Sequence, residues 1–500
     1  MHQVGHMYFA CLGRQMHGVS LDAPGLVLPH ISIRPGAPTL RAVMRLPAGR
    51  KPSFPALKGD CICRRVSLQP DGSGLAVELE IQTERQELVP ALSRLTQERF
   101  TNLSRMLEGY AALHLVCGAK CSTCLLPKQI PVKKDLSIRQ IDLMPDRLIG
   151  YNDYRRLMKD LERVPGLDVW PVGISYQGRT IYAIAPEETR RGYVSRVKRM
   201  QTVPSVLING RHHANEVSAT NAIFAFVREL VTDPAYQDLP SELNLVMVPM
   251  ENVDGAALHD EMQREHPTWQ HQTCYTNSLG ADLMPHYFKP DTMHTESHVF
   301  TSFAQELLPD AFIDLHGVPH HELPQQFGQL TGYRGLWLPR APLCAFYFHV
   351  NDPRFASNRV LSQAWKRKVD ARYERWEEFE RLSHEYDQRF NKYSWCGIDE
   401  SYPCQRQGAM LNYWVPSPYN ARHPYPTISR PWTFNVMFTA EAADETAHGD
   451  WLRTCAYAHL LHVRAGVELL RTAGYGVESG ASVSDGTAQI TYRRRRPLLP

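Results

Sequence analysis

Pro204-Ser-Val-Leu-Ile-Asn-Gly-Arg-His-His-Ala-Asn-Glu-Val-Ser-Ala-Thr-Asn-Ala-Ile-Phe-Ala-Phe-Val-Arg-Glu-Leu-Val231 changes its periodicity midway. An apolar run reaches Gly210, as in a buried strand; Ile223, Phe226, Val227, Leu230 and Val231 then recur at helical spacing. Between the two lie His213 and Glu216, three residues apart at the strand-to-helix junction. That spacing lets an imidazole and a carboxylate converge on one ion from a single turn. Open α/β sheets hold ligands at such strand ends, because the loops there diverge into a crevice. Alone, His-x-x-Glu occurs by chance in many chains.

A second segment supports the first. Asp310-Ala-Phe-Ile-Asp-Leu-His-Gly317 is again an apolar strand ending in a histidine, His316. Two histidines and a glutamate, each just beyond a strand, make the three-ligand set of a catalytic zinc with one open position. Asp314 lies two residues before His316 and shares its side of the strand, as a second-layer partner or a structural residue. Such chemistry also needs a base for the attacking water. Trp432-Thr-Phe-Asn-Val-Met-Phe-Thr-Ala-Glu441 ends its apolar run in a carboxylate, Glu441, which shares the ligands' edge if this strand runs parallel to theirs. Glu445 is the competing candidate.

Outward from these motifs, residues 140–475 alternate apolar runs (169–174, 180–185, 204–209, 243–249, 311–315, 432–439) with helical stretches such as Asp153–Arg163. That is the pattern of an α/β fold with a mixed sheet covered on both faces. Residues 357–390 are rich in Arg, Glu and aromatics and read as a helical insertion, a solvated face or a cap over the site. Residues 1–137 differ: short β-type runs at 29–35, 39–46, 60–68 and 74–82, a helix-like stretch at 92–109, then a Pro/Lys linker. The expected organisation is a small β-rich domain at 1–137, a catalytic domain at 138–475 and a disordered basic tail at 476–500, ending in Arg493–Arg496. No internal repeat is visible.

Composition narrows the classes. The 500 residues are 43% hydrophobic and 21% charged, a globular balance with ample core material. Lys plus Arg (55) against Asp plus Glu (52) leaves +3, which does not point to nucleic acid as the main partner. No apolar run approaches a membrane span, and no signal peptide is visible, so the expected address is cytoplasmic. In that setting the 11 cysteines are thiols or ligands rather than disulfides. Five gather early: Cys61, Cys63, Cys117, Cys121 and Cys124. They are read as a structural metal or cluster site, or as unligated thiols. The Cys-x-x-x-Cys-x-x-Cys spacing also matches radical enzymes using S-adenosylmethionine, but no βα-repeat barrel surrounds it.

The ordered motifs together resemble the zinc metallocarboxypeptidases of the carboxypeptidase A type, over about 145–470. The resemblance extends to Val172-Gly-Ile-Ser-Tyr-Gln-Gly-Arg-Thr-Ile181, to Pro249-Met-Glu-Asn-Val-Asp-Gly255, and to Gly280-Ala-Asp-Leu283. It implies a mixed, mostly eight-stranded sheet between helices. It also implies one catalytic zinc on His213, Glu216 and His316, Glu441 as general acid/base, and hydrolysis of an amide in a peptide or amino-acid conjugate. The chain departs where the family carries Asn-Arg to grip a carboxylate: here stand Met284-Pro285. Arg264, His266, His320 and His321 are the candidates for substrate or oxyanion contacts, and Tyr413, Tyr419 and Tyr425 for the family's tyrosine. The departures leave two alternatives: a zinc deacylase or esterase acting on a small acylated amine, and a non-catalytic binding protein on the same fold. The oligomeric state is not readable.

Overall fold

The computed structural model describes residues 61–71, 74–83, 110–117, 120–125, 132–187, 203–269, 271–289, 292–318, 341–393, 404–407, 410–474, 477–484 and 487–494. The first four segments are strands β1 (Cys61–Asp71), β2 (Gly74–Thr83), β3 (Tyr110–Cys117) and β4 (Lys120–Leu125), paired in the order β1-β2-β3-β4. Cys61 and Cys63 lie on one edge strand, and Cys121 and Cys124 on the other. Three strand spacings, about 14 Å, separate those edges. The expected runs at 29–35 and 39–46 and the helix at 92–109 lie outside the described residues.

The following elements begin with helix α1 (Tyr151–Leu161), then β5 (Leu167–Ile174), β6 (Thr180–Pro186) and β7 (Ser205–Gly210). Helix α2 (Ser218–Thr232), β8 (Asn244–Val248), α3 (Val253–Glu265), α4 (Ser297–Leu307) and β9 (Ala311–Val318) come next. The chain continues through β10 (Leu343–Val350), α5 (Ala356–Tyr373), α6 (Glu377–Tyr393), β11 (Cys404–Gln407) and β12 (Met410–Ser417). It closes with β13 (Val436–Ala443) and the long helix α7 (Gly449–Thr472). The sheet order is β11-β12-β10-β13-β9-β7-β8-β6-β5: eight main strands and a four-residue edge strand.

Direction matters more than strand number. β13, β9, β7 and β8 are mutually parallel, and antiparallel partners flank them as β10 and β6. The ends of β7, β9 and β13 therefore emerge at one edge of the sheet. Alternation along β9 shows both faces covered. Phe312 meets Phe300 of α4 at a ring separation of 4.8 Å, while Ile313 abuts Gly466 of α7 on the other side. These strands are buried throughout, as an internal parallel sheet requires. Each fully enclosed Phe or Leu contributes roughly 1.5–3 kcal/mol.

The stretch expected as a helical insertion forms α5 and α6. Helix α5 is part of the core layer, with Trp365 wholly buried and stacked on Phe438 of β13 at 5.1 Å. Leu361, Ala364, Trp365 and Val369 face in, together with a buried ion pair in which Lys366 Nζ donates to Asp370 Oδ2 at 2.5 Å.

The tail differs from its expectation. Instead of disorder, Val477–Ser484 and Thr487–Arg494 pair antiparallel as strands β14 and β15, with Ser484 opposite Thr487. The intervening sequence is Asp485-Gly486, a favoured two-residue hairpin connection, and β-branched or aromatic residues (Val477, Val483, Ile490, Thr491, Tyr492) populate both arms. Residues 495–500 lie outside the described residues.

Candidate metal centre

Strand β7 must end abruptly for its loop to turn across the sheet edge. Gly210 allows this: a Cβ there would lie 3.1 Å from both Ile223 Cδ1 and Pro249 O. Arg211 follows with φ +56, the left-handed region. Its wholly buried guanidinium donates to Ile149 O (3.1 Å) and to Ala214 O, pinning the turn, and burial lowers its pKa to about 10. Ala214 N donates to Cys274 O (3.2 Å), and the His213 ring stacks on Tyr275 at 3.6 Å.

The turn delivers His213 and Glu216 to His316, and the three offer ligand atoms all within 4.8 Å of one another. His213 Nδ1 is 2.7 Å from Glu216 Oε1; His316 Nδ1 is 3.1 Å from Glu216 Oε2 and 3.1 Å from His213 Nδ1. Ligands about 2.0–2.2 Å from a tetrahedral zinc stand roughly 3.3 Å apart, so this spacing suits the ion. Two ring nitrogens facing each other at 3.1 Å also need a cation or a proton between them. The donor set, one carboxylate and two imidazoles, is that of an open catalytic site. On these grounds the residues fit zinc.

A surrounding layer holds the donors. His316 Nε2 lies 2.8 Å from Asp314 Oδ2, so Asp314 backs the ring from its own strand. Burial disfavours charge on His316, but Asp314 and Glu216 raise its pKa well above the usual value. Burial likewise works against ionised Glu216, yet His213 and His316 hold it down to about 2. Beside His213, the buried His212 sits between Glu251 Oε2 (3.2 Å), Tyr287 Oη (2.9 Å) and Asp282 Oδ1 (2.8 Å). Despite burial, the two carboxylates raise His212 to about 10. Asp282 also lies 3.8 Å from His213 Nε2.

Glu441 stands opposite His316 in the parallel register of β13 and β9, on the same face. Desolvation raises its pKa well above the usual carboxylate range; Glu216, Asp314 and Asp444 add to this, and His316 opposes it. Glu445 is buried beyond the strand's end, four residues past that register pair.

The flanking motifs meet each other. Ser175 Oγ donates to Asp254 Oδ1 at 2.5 Å, Arg179 Nη1 to the same oxygen at 2.8 Å, and Gln177 N to Oδ2 at 2.9 Å. The Gly-x-Ser-x-x-Gly-Arg turn and the Asn-Val-Asp-Gly turn are therefore one lock, with Gly178 at φ +85 closing the first.

Other candidates fall elsewhere. Arg264 lies at the end of α3, 67% exposed and bonded to Asp260 (2.8 Å). His266 stacks on the exposed Trp269 at 4.4 Å. His320 and His321 lie outside the described residues. The side chains of Cys61, Cys63, Cys117, Cys121 and Cys124 also lie outside them. Of the tyrosines, Tyr413 stacks on Phe346 (4.7 Å) and Tyr419 is next to Trp432 (5.9 Å). Tyr425 is near enough to influence the Tyr275 phenol, which itself feels Asp282, Glu216 and Glu441. Met284 is buried in the core and Pro285 is exposed, so neither presents a cation. Sequence reading missed Tyr275 and His212, whose partners come from distant segments; only the neighbouring His213 marked the place.

Residues 154–306 match the zinc carboxypeptidase family. The match contains His213 and Glu216 and ends before His316 and Glu441. No curated protein matches the sequence. Among solved structures, a putative carboxypeptidase A from Shewanella denitrificans OS-217 is 16% identical, covering 65% of this chain and 70% of that one, with TM-score 0.39. A Pseudomonas aeruginosa metallo-carboxypeptidase bound to (2-guanidinoethylmercapto)succinic acid is 18% identical, covering 64% and 69%, with TM-score 0.39. Carboxypeptidase A from Helicoverpa armigera is 11% identical, covering 78% and 96%, with TM-score 0.41.

Proposed function

We propose that this chain, a divergent relative of the zinc carboxypeptidases and by that match a zinc metallopeptidase, hydrolyses an amide bond in a peptide or amino-acid conjugate. The observation that carries the reading is the convergence of His213, Glu216 and His316 on one ion-sized point, with Glu441 paired to His316 across the sheet. Zinc bound there would supply a Lewis acid that polarises the carbonyl and eases deprotonation of water. The protein's own part is to orient and to move protons. Asp314 fixes the His316 ring, Tyr275 covers the His213 ring, and the Arg211 clamp holds the turn bearing Glu216. The Glu441 carboxylate takes a proton from the attacking water and returns it to the departing amine.

One test separates chemistry from binding. Glu441→Gln should keep zinc in full and lower kcat by about a thousandfold or more, consistent with loss of an essential proton shuttle. Activity within tenfold of wild type would remove Glu441 from this role. A second reading, deacylation of a small acylated amine, is favoured by Met284 and Pro285 in place of a carboxylate-gripping pair. Peptides amidated at the C-terminus decide between them: a carboxypeptidase rejects them, whereas the deacylase reading does not require a free carboxylate.

Among the described residues no helix is long and apolar enough to cross a membrane. We propose a cytoplasmic address, in which the buried Cys274 and Cys455 would stay thiols.

A further inference from the structure

Glu216 and His316 sit on different segments 100 residues apart, yet their donor atoms must stay about 3 Å from each other to share an ion. Ser218 follows Glu216 by two residues and opens α2; Gly317 follows His316 directly. One side chain reaches both places. Asp444, just past the end of β13 and three residues beyond Glu441, is wholly buried. Its Oδ2 accepts from Ser218 N at 2.6 Å and from Ser218 Oγ at 2.5 Å. It thereby caps α2 from another segment, because the helix's own N-cap, Val217, has no side-chain oxygen. The other oxygen fills the space above Gly317: a Cβ there would lie 2.0 Å from Asp444 Oδ1 and 3.0 Å from Glu216 Cβ. The backbone closes the same junction, with Asp444 N donating to Val318 O at 3.1 Å.

We propose that Asp444 is a positioning residue that sets the spacing of Glu216 and His316, with Gly317 as the gap into which it fits. Glycine is required after His316 because the carboxylate of Asp444, just past β13, occupies the volume of its missing side chain. The inference rests on the reading of His213, Glu216 and His316 as zinc ligands. It gives β13 and the residue that follows it two acids with different work: Glu441 faces the reacting groups, and Asp444 holds the ligand-bearing segments together.

The test is zinc affinity, by competition with a chelator, for wild type, Asp444→Ala, Asp444→Asn, Gly317→Ala and the Gly317→Ala/Asp444→Ala pair, each first shown to be folded by its melting curve. Asp444→Ala and Gly317→Ala should each weaken zinc binding about 10–100-fold, the usual effect of losing an outer-layer support. Asp444→Asn keeps the volume and an acceptor oxygen and should stay within about threefold of wild type. In the Asp444→Ala background the two clashes with the carboxylate are gone and only the 3.0 Å approach to Glu216 Cβ remains, so Gly317→Ala should cost less than about threefold more. Losses that multiply, or an Asp444→Ala protein that binds zinc like wild type, overturn the proposal. Wild type that binds no zinc overturns the zinc reading itself, and this inference with it.

Discussion

His212, just beyond the end of β7, and His316, near the end of β9, like His459 and His462 inside helix α7, are all almost fully buried. Their environments push them in opposite directions. The strand-end pair meets carboxylates, Glu251 and Asp282 for His212, Asp314 and Glu216 for His316, and both are raised above the ordinary value. In the helix pair desolvation dominates and lowers each to about 3; His459 also feels His316 and Glu216, which leave it low, whereas no carboxylate acts on His462. His462 has Tyr373 Oη at 3.1 Å and the Phe438 ring at 4.5 Å. Burial thus says little about a histidine's role; the company of carboxylates distinguishes a ligand holder from a core residue.

The comparison can be broken from the strand-end side first. Removing the carboxylate behind His316 with Asp314→Ala should lower zinc affinity by about 10–100-fold, read by chelator competition. An unchanged affinity would mean that the ring is held by its backbone alone.

From the helix side, His462 remains neutral in the fold while the unfolded chain takes up a proton near pH 6.5. Between about 3 and 6.5 the unfolded state binds more protons, so stability is present above this window and lost as pH falls through it. His462→Met removes that liability and leaves the Tyr373 hydroxyl its bond to Ala458 O at 2.6 Å. The variant should gain on the order of 1–3 kcal/mol at pH 4 over wild type, relative to pH 8, in denaturant melts. Equal shifts at both pH values would contradict a buried neutral imidazole.

A smaller effect is expected where an acid is buried without a cation. Desolvation, and then Asp254, raise Glu296 from 4.5 to about 8, while Asn277 Nδ2 lies 3.3 Å from it. Here the native state keeps a proton that the unfolded chain has released, so stability falls as pH rises from about 4.5 to 8. Glu296→Gln should be neutral at pH 4 and stabilising by about 1 kcal/mol at pH 9, measured as melting temperature. A variant destabilised equally at both would show Glu296 to be ionised in the fold.

Much of this molecule could be read from its residues because local pattern and chemistry coincide at the strand ends. The apolar runs before Gly210 and His316 mark β7 and β9, and the order of histidine, glutamate and histidine marks the proposed ligands, which the fold brings together. The place of Glu441 beside His316 was legible once β13 was taken as parallel; the observed strand begins at Val436 rather than Trp432, because 431–433 form a turn. What escaped was tertiary. Tyr275 follows an ordinary polar loop, and its stacking on His213 exists only after the chain has folded back. Asp444 looks like one of several acids after β13, and only its contact with Ser218 and Gly317 distinguishes it. Strands β10 and β12, aromatic runs inside the second half, were not among the expected strands. The β14–β15 hairpin had its own local sign in Asp485-Gly486, outweighed by the Gly/Ser content around it.

The central claim is that three strand-end residues hold one zinc. Metal analysis of purified full-length protein beside the folded His316→Ala variant tests it most directly. One zinc per chain in the wild type and less than about a tenth of that in the variant is the expected result, since two protein ligands seldom retain the ion. Equal zinc in both proteins would place the metal elsewhere and contradict the account.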